Sequence, residues 1–141
     1  MNILFFLIPK SQVAFLYDTS SMRQGLEKMR AHGYTAIPVI TEEGTYCGTV
    51  SDGDFLWKMV DCNKTELREL EKLSVKDLLR DNWNPAVRVT ASMEELLDRS
   101  MRQNFVPVVD DRNVFIGIIT RKKVISYLCQ ELKLQTFLKR A

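Results

Sequence analysis

Ile37-Pro38-Val39-Ile40 leads within a few residues to Gly48-Thr49-Val50-Ser51, and the same arrangement returns as Val106-Pro107-Val108-Val109 and Gly117-Ile118-Ile119-Thr120. Pro38 and Pro107 are 69 positions apart, as are Gly48 and Gly117. Each copy predicts an apolar strand, a polar turn, a second strand opened by Gly, and a hydroxyl residue where that strand meets a helix. A repeat of this kind predicts a pseudo-twofold molecule with a cleft between or beside its two copies.

The residues before each strand pair complete the pattern. A helix with apolar residues at spacings of three and four is predicted over residues 22–29 and again over 93–101. A short apolar strand is predicted before each helix, at residues 13–16 and 86–89. We therefore expect an α/β fold of two half-domains, each with the order strand, helix, strand, strand, helix.

The repeat also predicts the domain organisation of the 141-residue chain. The first copy is placed at residues 1–60, a linker at 61–73, the second copy at 74–135 and a tail at 136–141. The last helix is expected to run into the region of Leu134. Equivalent helix residues are 71 positions apart rather than 69, so we expect the two clefts to differ.

Composition excludes several classes of protein. A formal net charge of +2 is too small to indicate a nucleic-acid partner. The apolar residues 1–8 are too short to span a bilayer and lack the features of a signal peptide, so a short helix or extended segment buried against the fold is expected, ending at Pro9. Cys47, Cys62 and Cys129 have no zinc-ligand spacing, and reduced thiols in a cytoplasmic protein are expected.

No catalytic or metal-binding constellation is visible in the sequence. His32 is the single histidine and is expected at a helix end, which removes most acid–base schemes. The stretch Asp52-Gly53-Asp54 is not a calcium loop, because position twelve, where an EF-hand places its closing Glu, is Asn63. We expect a protein that is not an enzyme and that needs no obligatory cofactor.

The motifs Gly33-Tyr34-Thr35-Ala36-Ile37-Pro38-Val39 and Gly48-Thr49-Val50-Ser51-Asp52-Gly53-Asp54, with their counterparts in the second copy, resemble a tandem pair of CBS domains, or Bateman module. The resemblance covers nearly the whole chain. It implies a stand-alone regulatory module that senses an adenosyl compound such as AMP, ADP, ATP, S-adenosylmethionine or cyclic-di-AMP in a cleft between the motifs. It also implies a homodimer, with the leading segment and final helix as candidate interfaces, and a protein partner that the sequence does not identify.

In nucleotide-binding members of that family, a Gly is followed by Ser or Thr three residues on and by Asp six residues on. Gly48, Ser51 and Asp54 match this pattern. A carboxylate accepts hydrogen bonds from both ribose hydroxyls, and a hydroxyl at a helix N-terminus lies where backbone N–H groups favour phosphate. In the second copy Lys123 stands in place of the Asp and cannot accept ribose hydroxyls, whereas Thr120-Arg121-Lys122-Lys123 suits phosphate.

Thr120-Arg121-Lys122 together with residues 33–38 is similar to the stand-alone CBS pairs of Firmicutes that bind cyclic-di-AMP. In those proteins the ligand contacts come from a Tyr-Thr pair, a basic turn and the first strand. Lys10 is added because it precedes the first predicted strand and so is expected near the cleft. The candidate ligand-binding residues are Lys10, Gln12, Ala14, Tyr34, Thr35, Ala36, Ile37, Pro38, Ser51, Asp54, Val106, Pro107, Thr120, Arg121 and Lys122.

Two alternatives stay open at this stage. The first is a protein–protein interaction module whose clefts are vestigial, which Lys123 favours and Asp54 opposes. The second is a nucleotide-hydrolysing or transferase enzyme, which would need a metal site or a general base that the sequence does not show.

Overall fold

The computed structural model describes residues 1–132 and confirms the expected α/β architecture. The first copy consists of β2 (Leu16–Tyr17), α1 (Met22–His32), β3 (Ala36–Ile40), β4 (Tyr46–Ser51) and α2 (Asp52–Cys62). The second consists of β5 (Val87–Arg88), α4 (Met93–Arg102), β6 (Phe105–Val109), β7 (Phe115–Thr120) and α5 (Arg121–Glu131). The remaining elements of residues 1–132 are β1 (Ile8–Pro9), α3 (Leu67–Leu70) and three 3-10 helices at Ile3–Phe6, Lys10–Gln12 and Val75–Leu78. The region of Leu134 and the tail at 136–141 lie outside the described residues.

Each copy contributes one sheet. The first has the strand order β2-β3-β4, and the second has the order β1-β7-β6-β5. In both copies the short first strand pairs in parallel with the second, and the last two strands form an antiparallel hairpin. The hairpins shift register at equivalent points, between Val39 and Ile40 and between Val108 and Val109. The repeat in the sequence is therefore a repeat in structure.

A pair of turns joins the two copies. Tyr46 N donates to Asn113 O at 3.1 Å, and Phe115 N donates to Gly44 O at 2.9 Å. Tyr46 and Phe115 are equivalent in the repeat, as are Gly44 and Asn113, so each hydrogen bond is the counterpart of the other. The pseudo-twofold axis therefore passes between the two bonds. The Tyr46 and Phe115 rings stack across it at 6.1 Å.

Local capping explains where the helices begin and end. Ser21 and Gln24 form a capping box at the start of α1, and Gly33 ends that helix in the left-handed conformation at φ 68°. The Ser92 side chain accepts a hydrogen bond from Glu95 N at 3.1 Å and caps α4. Thr120 caps α5 in the same way.

The two hydrophobic cores exchange short segments. Val75 and Leu78 lie in the predicted second copy, before β5, but pack in the first core. Ile3 and Phe6 precede the first copy but pack in the second core, where they are 0% and 1% exposed. The leading segment is thus buried as expected, although Phe5 faces outward. Packing therefore does not follow the predicted copies at residues 1–60 and 74–135, and the domain boundaries stay a prediction.

The first strand of each copy is shorter than expected. β2 contains Leu16 and Tyr17 rather than residues 13–16, and β5 contains Val87 and Arg88 rather than 86–89. Before Leu16 the chain parts from β3, and the opening between them is a cavity. Within residues 1–132, no helix has both the length and the apolar content needed to cross a bilayer.

Candidate functional site: two cavities at the junction of the copies

The first cavity, here called the Tyr34 cavity, has a volume of about 490 Å³. It lies where the chain before β2 separates from β3, and the start of α5 forms its far wall. Eight of the fifteen candidate residues line it: Gln12, Ala14, Tyr34, Thr35, Ala36, Pro38, Thr120 and Lys122. Ile8, Val13, Gly33, Asn104, Phe105 and Ile118 complete the lining.

The end of α1 places Tyr34 on the cavity wall. Gly33 turns the chain out of the helix, and Tyr34 N then donates to Met29 O at 3.0 Å. The Tyr34 ring stacks on His32 with 5.3 Å between ring centroids and stays 40% exposed. An aromatic face fixed at the backbone and still open to solvent can stack on a planar ligand.

The second copy supplies the polar side of the Tyr34 cavity. The Thr120 hydroxyl accepts from Lys123 N at 3.2 Å, which fixes it at the N-terminus of α5. Lys122 is exposed in the first turn of that helix. Among the lining residues, all from the described part of the chain, Lys122 is the one with a charged side chain, and none carries a carboxylate. This wall suits an anion and offers no strong acceptor for a ribose diol.

Asp54 and Ser51 line neither this cavity nor the one described below. Asp54 Oδ2 accepts from Ser51 N at 2.8 Å, and the Ser51 hydroxyl lies 3.1 Å from the same oxygen. Asp54 Oδ1 lies 2.9 Å from Arg80 Nε, and the Asp54 side chain is 12% exposed. Arg80 in turn lies over the Trp83 ring at 3.9 Å. The carboxylate that matches the family's ribose residue is therefore held by a helix cap and an ion pair.

The second cavity, here called the Arg102 cavity, has a volume of about 560 Å³. By the repeat offset, its residues Gln103 and Asn104 correspond to Tyr34 and Thr35. Its lining is Ala36, Asn82, Trp83, Asn84, Pro85, Arg99, Arg102, Gln103, Asn104, Phe105 and Arg121. Apart from Ala36 and Arg121, these residues are absent from the candidate set, although the offset itself points to Gln103 and Asn104.

The partly buried Tyr46 stabilises one wall of the Arg102 cavity. The Tyr46 hydroxyl donates to Asn84 O at 2.8 Å, and Asn84 Nδ2 donates to Thr49 Oγ1 at 3.1 Å. Burial raises the pKa of Tyr46 well above its ordinary value, so the phenol stays protonated and keeps donating. Asn84 itself has a positive φ of 54° that this anchoring supports.

Several candidate residues lie elsewhere. Ile37 and Val106 are 0% exposed, so their side chains belong to the cores, and Pro107 is buried as well. Lys10 extends over the Phe15 ring at 5.2 Å instead of lining either cavity. Arg121 lines the Arg102 cavity, where its Nε donates to Ser100 O at 2.7 Å. Arg121 and Lys122, which are neighbours in the basic turn and were predicted to act together, therefore line different cavities.

Two CBS motifs built around paired clefts define a CBS-pair protein, and the chain belongs to the CBS domain family. The sequence profile described as "CBS domain" matches residues 7–61 and 73–130. The resemblance stated from the sequence motifs is thereby confirmed.

Among curated relatives, the cyclic di-AMP receptor B of Bacillus subtilis (strain 168) is 23% identical over 128 residues, which are 91% of this chain and 86% of that protein. The homoserine O-acetyltransferase of Methanocorpusculum labreanum is 29% identical over 105 residues. That match covers 74% of this chain but 20% of the relative, so the chain spans a fifth of that protein's length.

Solved structures of the same architecture include complexes with adenine nucleotides. CbpB in complex with c-di-AMP has a TM-score of 0.84 and 25% sequence identity, over 100% of this chain and 91% of that one. CBSX2 in complex with AMP has a TM-score of 0.72 and 26% identity, over 92% and 96% of the two chains.

Proposed function

We propose that this protein is a non-enzymatic regulatory module that binds cyclic-di-AMP in the Tyr34 cavity and signals to a partner protein through a change in conformation. The observation that carries the proposal is the meeting of Tyr34 and Thr35 from the first copy with Thr120 and Lys122 from the second around one cavity. The likeness to a cyclic di-AMP receptor and to CbpB with c-di-AMP supports it.

The chemistry of the cavity favours a cyclic dinucleotide over a mononucleotide. AMP presents a free ribose diol, for which a carboxylate is the strongest partner, and none of the described residues that line the Tyr34 cavity carries one. In cyclic-di-AMP the 3′ oxygens are esterified, and two phosphodiesters each carry one negative charge. Lys122 and the hydroxyls of Thr35 and Thr120 are donors suited to those phosphates, while Tyr34 offers its ring to an adenine.

The proposed signalling mechanism rests on the fact that residues of both copies line the Tyr34 cavity. A ligand that contacts both copies favours the arrangement in which the two walls are the right distance apart. It shifts the population toward that arrangement only by its differential affinity for the two states. The partner then reads the changed surface.

The assembled form is a homodimer in the cytoplasm. Leu56 on α2 and Ile125 on α5 occupy equivalent positions in the repeat and are 51% and 46% exposed. The exposed apolar surface of these two helices also includes Trp57, Val60 and Leu128. Stacking two modules face to face would remove this apolar surface from water. The three cysteines are free thiols, as a reducing compartment would keep them.

Calorimetric titration of the full chain with cyclic-di-AMP, AMP and ATP tests the proposal. We expect saturable binding of cyclic-di-AMP, tighter than that of either mononucleotide. Tyr34→Ala removes a stacking surface worth about 1–3 kcal/mol, roughly a 5- to 150-fold loss of affinity. Lys122→Gln removes the cation and should also weaken binding.

Tyr17→Ala is the matched control, because Tyr17 is 41% exposed and lines neither cavity. Equal losses in Tyr17→Ala and Tyr34→Ala would contradict the proposed site. Absence of binding by all three nucleotides would contradict the sensor and favour the interaction module, which the pairing of Asp54 with Arg80 also supports.

A further inference from the structure

We infer that His32 is a positioning residue for the Tyr34 cavity: it holds the Tyr34 ring in the orientation on which an adenine base stacks. This role rests on the proposed function of the cavity, and His32 itself is not one of the lining residues. The two rings stack with 5.3 Å between their centroids and 30° between their planes. His32 therefore covers one face of the Tyr34 ring, and the opposite face is the one left for a ligand.

The end of α1 fixes the backbone of Tyr34 but not its side chain. Gly33 N donates to Arg30 O at 3.2 Å, and Tyr34 N donates to Met29 O at 3.0 Å. With Gly33 in the left-handed conformation, these two bonds form a Schellman motif. The motif sets where the Tyr34 Cα lies, while the ring, which is 40% exposed, keeps its own side-chain torsions. The contact with His32 restrains those torsions.

A ring that is restrained before binding favours affinity. An aromatic side chain that rotates freely loses rotamer freedom when a ligand fixes it, and that loss subtracts from the free energy of binding. The Tyr34 ring stacked on His32 has already lost part of this freedom. Adenine then adds a third ring to an existing stack of two, and each stacked pair contributes attraction of its own.

The second copy lacks this arrangement. Three residues separate α1 from β3, whereas two separate α4 from β6. Gln103 stands at the position of Tyr34 and is 7% exposed, and Met101, at the position of His32, is 81% exposed. Neither position carries an aromatic ring. The stacked pair is thus a feature of the Tyr34 cavity and not a general consequence of the repeat.

A proton magnetic resonance spectrum tests the stack without any ligand. His32 is the single histidine of the chain, so its imidazole protons give signals that no other histidine overlaps. The ring current of Tyr34 shifts those signals, and Tyr34→Ala should therefore move them. Tyr17→Ala is the control, because Tyr17 is 41% exposed and its ring pairs with Phe15. Imidazole signals that stay in place in Tyr34→Ala, or that move as far in Tyr17→Ala, would overturn the role of His32.

Calorimetric titration of the full chain with cyclic-di-AMP tests whether the stack serves binding. We expect His32→Ala to weaken binding about 2- to 10-fold, the factor that corresponds to one aromatic pair. His32→Phe keeps a ring at this position and should bind within about twofold of the wild-type chain. Arg30→Ala is the matched control, because Arg30 is also exposed and basic in the last turn of α1 but is not part of the stack. Equal losses in His32→Ala and Arg30→Ala would assign the effect to charge at the helix end and overturn the positioning role.

A double-variant cycle shows whether His32 acts through Tyr34. In the Tyr34→Ala chain the ring that His32 positions is gone, so adding His32→Ala should cause no further loss of cyclic-di-AMP affinity. Losses that multiply in the double variant would overturn the positioning role. Unchanged affinity in His32→Ala, or a loss in His32→Phe as large as that in His32→Ala, would overturn it too.

The same titrations separate the role of His32 from the function of the cavity. A wild-type chain that does not bind cyclic-di-AMP would contradict the function of the Tyr34 cavity and, with it, the role of His32. Binding that Tyr34→Ala weakens and His32→Ala does not would leave the function standing and overturn the role of His32 alone. Melting curves check that each variant is folded, and unfolding is not expected because both substituted side chains are exposed.

Discussion

At the residue scale, the carboxylate of Asp54 is already bound by residues of the protein itself. Its carboxylate closes the capping box of α2 with Ser51 and pairs with Arg80, whose guanidinium rests on Trp83. A residue that matches a ligand-binding motif can therefore stabilise the fold instead, through contacts within the protein. The motif alone does not separate the two roles, because both need a carboxylate three residues after a helix cap.

Asp54→Ala should lower the free energy of unfolding by about 1–2 kcal/mol, since it removes a cap and a partly shielded ion pair. It should leave cyclic-di-AMP affinity within about twofold, because Asp54 lines neither cavity. Urea unfolding and calorimetry measure the two quantities on the same preparation. A large loss of affinity with unchanged stability would place Asp54 in the ligand site after all.

The basic turn at the start of α5 marks the limit of sequence analysis at this scale. Arg121 and Lys122 are adjacent in the chain, but successive residues of a helix point about 100° apart. They consequently line different cavities. Sequence adjacency predicted one phosphate site, whereas the position of α5 against α4 and the segment before β5 places the two side chains at different cavities.

At the scale of elements, most of the fold was predictable because several signals agreed. The repeat offset and the helical spacing of apolar residues agreed on helices at 22–29 and 93–101, and the structure caps these helices at Ser21, Gly33 and Ser92. The strand predicted at residues 13–16 begins only at Leu16, because apolar character predicts burial and not strand pairing. Val13 and Ala14 are partly buried as the wall of a cavity, where no strand pairs with them.

Gly48 and Gly117 are equivalent glycines in the two sheets, but only Gly117 lies against β1. Substitutions at the two positions therefore measure how tightly β1 packs. The two glycines have similar positive φ values of 150° and 154°. A Cβ on Gly117 would collide with the backbone oxygen of Ile8 in β1, whereas one on Gly48 would meet a flexible methyl of Leu79 at 3.1 Å. Gly117→Ala should therefore cost about 2–3 kcal/mol of stability and Gly48→Ala about 1 kcal/mol.

Chemical denaturation of the two variants checks this difference. Equal losses of unfolding free energy would mean that β1 can move away from β7 and make room for the Cβ of an alanine at position 117. A larger loss in Gly48→Ala would contradict the role of β1 altogether.

At the scale of the whole molecule, the equivalent apolar faces of α2 and α5 predict self-association. Leu56→Asp places a charge on that face, and the charge would have to be desolvated in a dimer. We expect sedimentation to show a dimer for the wild-type chain and a shift toward monomer for Leu56→Asp. Leu67→Asp is the control, because Leu67 is 50% exposed on α3, against 51% for Leu56. A wild-type monomer at tens of micromolar would contradict the dimer.

The exchange of segments between the cores has a consequence for synthesis on the ribosome. Within residues 1–132, every buried member of the first core lies between Leu16 and Leu78, so this core can close as soon as that stretch has emerged. The second core needs Ile3 and Phe6 as well as Val124, residues separated by most of the chain. Ile3 and Phe6 are translated before the first core but must stay unburied until the last strand and helix are available. The nascent chain therefore carries an exposed apolar segment through most of its translation, and that segment is where we expect a chaperone to bind.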